Sequence, residues 1–222
     1  MKNLLILIFA LYGLSTLAQD KIYLLDTGVS ESQSKYLCES GHMTFDNRQF
    51  HPHGTQMVKE MVHDLKSYSN NFCIVSIDIY DDKAKTILLS NMIKALKALK
   101  YQKPGIINLS MNGASGSKEE SDLLKDLANR GFQINIASGN EQRNLLFACK
   151  DFPACYFRTP HKNIHVISNN ELKSNKNGPV THVEQIPHYT NGTSGSTAIH
   201  SGRILFEKYR QQEMNKAILG GI

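Results

Sequence analysis

Ile22-Tyr23-Leu24-Leu25-Asp26-Thr27-Gly28 is an apolar run that stops at a carboxylate and a turn-forming Thr-Gly pair. A short apolar run bounded by turn residues is the pattern of a strand buried on both faces. Cys73 to Ile79, Gly105 to Leu109, Phe132 to Ala137 and Ile164 to Ser168 have the same look. Between them, apolar residues recur at helical spacing. Met57, Val58, Met61, Val62 and Leu65 do so after His53, and Ile87, Leu88, Met92, Ile93, Leu96 and Leu99 do so from Lys85 to Lys100. Ser117 with Glu120 fits a capping box, and Arg130-Gly131 closes the helix it opens. Strands alternating with helices of this length predict a three-layer α/β/α fold with a mostly parallel central sheet. Ligands of such sheets gather beyond the carboxyl ends of the strands. Asp26, Ser110 and Asn140 fall at or just past such ends, on one rim.

The chain has 222 residues and is 41% hydrophobic, enough for one domain with a sizeable core. Met1 to Ala18 carries Lys2, an apolar stretch from Leu4 to Leu17, and the small residues Thr16 and Ala18 near its end. That is the build of a secretory signal peptide. The apolar stretch is shorter than the roughly 20 residues of a membrane-spanning helix. The expected organisation is a signal peptide over residues 1–18 and a single domain over 19–222, secreted or periplasmic, with no membrane anchor after cleavage. The net charge of +5 includes Lys2 and is not gathered into one run, so it does not read as a nucleic-acid footprint. Four cysteines follow the leader, and an even count in an exported chain favours disulfides. Three pairings are open. Cys149 with Cys155 closes a tight loop, which leaves Cys38 with Cys73 to tie a long loop to the start of a strand. The absence of any Cys-x-x-Cys pair argues against zinc.

An acid, an imidazole and a hydroxyl are the parts of a nucleophilic serine site, and the punctuated segments supply one of each. Ser194 follows Gly192-Thr193 at the start of a helix, where the macrodipole is positive and the glycine lets backbone approach a carbonyl. His53 opens a helix and has an ordinary pKa near working pH, as a general base needs. Asp26 ends a buried strand and would fix the tautomer of that imidazole. Their rivals are Ser196 and His51, each two residues away.

Asp26-Thr27-Gly28-Val29, His53-Gly54-Thr55, Asn108-Leu109-Ser110-Met111-Asn112-Gly113, Ala137-Ser138-Gly139-Asn140-Glu141 and Gly192-Thr193-Ser194 resemble, in order, the motif series of the subtilisin-like serine proteases. The resemblance runs from about Ile22 to Gly202. It implies a serine endopeptidase with Asp26, His53 and Ser194 as its triad. Asn140 would donate to the oxyanion together with the Ser194 backbone N–H. Ser110, Met111 and Asn112 would pair with an extended protein or peptide substrate. No cofactor is implied for the chemistry. The structural calcium sites common in the family have no clear place here, and Asp78, Asp81 and Asp82 read as a solvated acidic loop.

The departures from the family pattern are specific. Gln56 stands where many members have a second His, Gly195-Ser196 where Met-Ala is usual, and Ala198 where a Pro is usual. Asn112 stands where a Gly commonly lines the primary specificity pocket, and its side chain would narrow that pocket. The approach from Ser174-Asn175 to Asn191 is compressed. Only Gln19 to Lys21 separate the leader from the first strand, where relatives usually carry a prodomain. That points to a minimal form and to a separate folding chaperone or inhibitor as a partner. The alternative function is a catalytically weak or inactive subtilase-fold protein that binds peptides. An esterase of the α/β-hydrolase kind is disfavoured, because its elbow needs Gly-x-Ser-x-Gly and the order Ser, acid, His.

Overall fold

Seven strands of the computed structural model form one sheet: β1 (Asp20–Asp26), β2 (Leu37–Thr44), β3 (Phe72–Asp78), β6 (Ile106–Leu109), β7 (Gln133–Ala137), β8 (Ile164–Ser168) and β9 (Glu184–Gln185). Every neighbouring pair in it is parallel, and the order is β2-β3-β1-β6-β7-β8-β9. A separate antiparallel hairpin joins β4 (Tyr80–Asp81) to β5 (Thr86–Ile87). The structure describes residues 19–44, 52–141, 145, 149–169, 184–185 and 192–220. The leader, His51, and all of the 174–191 stretch except residues 184–185 lie outside them.

Alternation along β1 sorts the core into two halves. Ile22 and Leu24 pack with Met57, Val58 and Met61 of α1 (Pro52–Met61) and with Ala198 and Leu205 of α4 (Gly192–Gly220). Tyr23 and Leu25 pack on the opposite face with Leu96 and Leu99 of α2 (Leu89–Leu99) and with Leu124 and Leu127 of α3 (Lys118–Asn129). Because helices cover both faces, no position of the central strands is left for polar alternation. The three-layer α/β/α architecture predicted from the apolar runs is present.

The boundaries differ in places. The helical pattern from Lys85 becomes a helix only at Leu89, because Thr86 and Ile87 pair with Asp81 and Tyr80 instead. Lys85 turns the hairpin with a φ of 53°, which a helix does not admit. Strand β2 carries Glu39, Ser40 and Gly41 and pairs only with β3, with a register shift between Leu37 and His42. Such an edge strand lacks the apolar run that reveals a central one. Both disulfides take the expected pairing, Cys38–Cys73 and Cys149–Cys155.

The sheet order reverses between β1 and β6: the chain leaving β1 goes to edge strand β2 and returns to β3 on one side, and the chain leaving β6 builds outward through β7, β8 and β9 on the other. Beyond the carboxyl ends at that point lies the crevice. Asp26 is the last residue of β1, Ser110 follows β6, and Asn140 lies three residues beyond the end of β7.

Candidate active site

The turn after β1 fastens the start of α1. Thr27 Oγ1 accepts from the Gly54 N–H at 2.9 Å, and Thr55 Oγ1 accepts from the Ser30 N–H at 2.9 Å. A Cβ on Gly54 would sit 2.2 Å from the Gly28 carbonyl oxygen, so only glycine lets the helix approach this turn. His53 is thereby held over Asp26, with Nδ1 at 2.8 Å from Oδ1. The Thr27 N–H donates to the same oxygen at 2.7 Å. An ionised carboxylate only accepts, so Nδ1 carries the proton and Nε2 presents its lone pair. Asp26 is 1% exposed and the His53 side chain 35%. Burial is the largest influence on His53 and lowers its pKa, but the hydrogen bond to Asp26 and the charge of Asp26 outweigh it and leave the value raised.

Gly192 starts α4 with a φ of +54°, and a Cβ there would lie 2.5 Å from Asn140 Oδ1. That space admits a bifurcated contact: Asn140 Oδ1 accepts from the Thr193 N–H at 3.0 Å and from Thr193 Oγ1 at 3.1 Å. A backbone N–H can only donate, so the Asn140 atom facing Thr193 is the oxygen and Nδ2 remains a donor. Ser194 Oγ donates to the Ser110 carbonyl at 2.7 Å, while Ser110 Oγ donates to the Ser194 carbonyl at 3.0 Å.

His53, Ser110, Met111, Asn112, Asn140 and Ser194 line one cavity of about 510 Å³. The structure therefore brings the proposed base, nucleophile, amide donor and substrate segment to one crevice, with Asp26 behind the base. Met111 also packs against the core, so it belongs to both. Asn112 Nδ2 donates to the Ala137 carbonyl at 2.8 Å, tying the segment after β6 to the end of β7.

No family model matches the sequence, and no curated protein does. Solved structures match. The protease domain of PatA, in a mutant form, superposes with a TM-score of 0.65 over 89% of this chain and 84% of that one, at 14% identity. A cold-adapted subtilisin-like serine proteinase gives a TM-score of 0.61 over 82% of this chain and 72% of that one, at 17% identity. The prenylagaramide maturation protease PagA gives 0.62 over 82% and 72%, at 15% identity. The chain has the subtilisin-like fold.

On this subtilisin-like fold the two hydroxyls differ in setting, Ser194 lining the cavity and Ser196 not. Ser196 is fully buried and bonds back to the Gly192 carbonyl at 3.2 Å. Gln56 turns along α1 to Glu60. Among the described residues no group of three or more His, Cys, Asp or Glu is arranged to hold a metal ion. Asp81 Oδ1 accepts from the Lys83 and Ala84 N–H groups of its own turn.

A buried polar chain was not read from the sequence. Asn135 Nδ2 donates to Ser201 Oγ, Ser201 Oγ to Asn108 Oδ1, and Asn108 Nδ2 to Ser110 Oγ, at 2.8 to 2.9 Å. It links β7, α4 and β6 to the backbone of Ser194. The available signal was an Asn inside each of two otherwise apolar strands, since a fully buried amide demands partners.

Proposed function

We propose that the chain is a secreted serine endopeptidase that cleaves protein or peptide substrates, with residues 1–18 as its signal peptide and 19–222 as its catalytic domain. The observation that carries this reading is the Asp26–His53 hydrogen bond beside a cavity that Ser194 and Asn140 also line. Turning the Ser194 hydroxyl from the Ser110 carbonyl toward His53 gives up one hydrogen bond, a net of about 1 kcal/mol. His53 Nε2 then takes the proton as Oγ attacks the scissile carbonyl. Asn140 Nδ2 and the Ser194 N–H donate to the oxyanion, and Asp26 stabilises the imidazolium. His53 returns the proton to the leaving amine. Water, deprotonated by the same imidazole, releases the acyl group from Ser194. No cofactor enters these steps. A separate protein that assists folding or inhibits the cleft belongs to the same reading.

The hydrogen bond from Ser194 Oγ to the Ser110 carbonyl also supports a second reading, a cleft that binds peptides without cleaving them. A fluorophosphonate probe decides between the two. Labelling of the folded protein, lost in Ser194→Ala, with casein cleavage, is expected for the peptidase. Peptide binding with neither labelling nor cleavage would establish the second reading.

A further inference from the structure

The cavity that holds Ser194 contains a buried carboxylate that the proposed chemistry does not use. Glu120, in the first turn of α3, lines this cavity and is 3% exposed. Its backbone N–H donates to Ser117 Oγ at 3.1 Å, one arm of a capping box. The return arm is relayed: the Ser117 N–H donates to Tyr156 Oη, and Tyr156 Oη donates to Glu120 Oε2 at 2.7 Å. Among the described residues no lysine, arginine or histidine forms an ion pair with this carboxylate. Burial pushes its pKa up, against the hydrogen bonds from Tyr156 and Ser117. A buried acid with no counter-charge is stabilised by a cation brought to it.

The surroundings set what kind of cation fits. Ile87, Leu89, Met92, Met111 and Phe152 line the same cavity and offer apolar walls to a long aliphatic stem. The other charged groups on the cavity are His53, Glu141, and Lys85 on the exposed turn between β4 and β5. Direction follows from the backbone. Ser110 is bonded to Ser194, and the segment runs outward through Asn112 to Gly113, which pairs antiparallel with Phe152. A peptide laid antiparallel to this segment carries the residues that precede its scissile bond toward Gly113 and Glu120. Ser110 to Gly113 is three positions of that segment, so in antiparallel register the residues about two to four positions before the scissile bond are the ones carried to this end of the cavity.

We infer that Glu120 is a specificity determinant that receives an arginine or lysine side chain about two to four residues before the scissile bond. The inference rests on the peptidase reading for its direction, and its test does not require turnover. Ser194→Ala protein is titrated with a positional-scanning library of neutral fluorescent peptides carrying Arg, Lys, norleucine or Asp at one position. At one position Arg or Lys binds at least about tenfold more tightly than norleucine, the size of a charge-assisted hydrogen bond. Glu120→Gln in the same background brings that ratio close to one. Absence of any cation preference, or a preference that survives Glu120→Gln, overturns the inference. If Glu120→Gln does not fold, carbodiimide coupling of the Lys peptide decides the matter by mass spectrometry. An adduct on Glu120 supports the assignment, and an adduct elsewhere or none overturns it. Cation preference, lost in Glu120→Gln, in a protein that no fluorophosphonate labels would overturn the peptidase reading and with it the position before a scissile bond, and would leave Glu120 as the group that receives the cation.

Discussion

Ser194 and Ser110 exchange hydrogen bonds, each hydroxyl donating to the other's backbone carbonyl, at 2.7 and 3.0 Å. The pair joins the first turn of α4 to the chain leaving β6, so the helix of the proposed nucleophile is registered on the proposed substrate segment. Ser110 Oγ also accepts from buried Asn108 Nδ2. Ser110→Ala removes one link to α4 and leaves that amide without its acceptor, at a cost of about 1–3 kcal/mol. Thermal unfolding should fall by about 2–4 °C for each kcal/mol. Labelling of Ser194 by a fluorophosphonate should slow in parallel. An unchanged midpoint with an unchanged labelling rate would detach Ser110 from both roles.

The contact between His53 and Asp26 sets a pH dependence whose sign is fixed. Only neutral His53 can accept the Ser194 proton, and its pKa lies above the ordinary 6.5. Labelling and cleavage should therefore rise with pH through a midpoint above that value. A profile flat from about pH 5 to 9 would remove His53 as the base. Asp26→Asn deletes the opposing charge and leaves burial as the dominant influence, so the midpoint should move below 6.5. Activity should drop by about 10⁴-fold, the loss known for a comparable triad. The same shift has a stability counterpart. The raised pKa means that protonated His53 favours the fold, a contribution complete below 6.5 and lost as pH climbs through the folded-state value.

Asn112 carries a prediction about selectivity. Its side chain bridges to the Ala137 carbonyl, at a position where the subtilisin-like motif commonly has glycine. A peptide side chain directed between these two strand ends meets the amide, so wild-type protein should favour a small residue just before the scissile bond. Asn112→Gly should raise kcat/KM for Phe or Leu there, relative to Ala, by about tenfold or more. Equal ratios in the two proteins would show that the amide does not limit the pocket.

The central sheet was legible because burial on both faces leaves predominantly apolar runs in β1, β3, β6, β7 and β8, broken only by single polar residues such as Ser76, Asn108 and Asn135. The candidate site was legible for a different reason. Gly54 and Gly192 tolerate no Cβ where they stand, so the residues beside His53 and Ser194 leave an imprint in the chain. Edge strand β2 and hairpin β4–β5 were missed because neither carries a run of apolar residues long enough to mark a strand. The role of Glu120 was half visible: Ser117 with Glu120 reads as a cap, but the relay through Tyr156 depends on a residue 36 positions away in the chain. Local spacing says nothing about such a partner.

The two disulfides should separate stability from function. Cys38–Cys73 closes a loop of sequence separation 35 and ties edge strand β2 to the start of β3. Cys149–Cys155 spans only 6 positions but holds Phe152 and Pro153 in the cavity wall. Loop-closure entropy assigns about 4 kcal/mol to the longer loop and about 2 kcal/mol to the shorter. Replacing Cys38 and Cys73 together by serine should therefore lower the unfolding free energy in urea more than replacing Cys149 and Cys155. Peptide affinity should respond in the opposite order. Loss of the shorter bridge frees the wall opposite Gly113 and should weaken binding to Ser194→Ala protein severalfold, whereas loss of the longer one acts at the far edge of the sheet. If the Cys149–Cys155 variant bound peptide as the parent does, the Phe152–Pro153 turn would not form part of the peptide-binding wall.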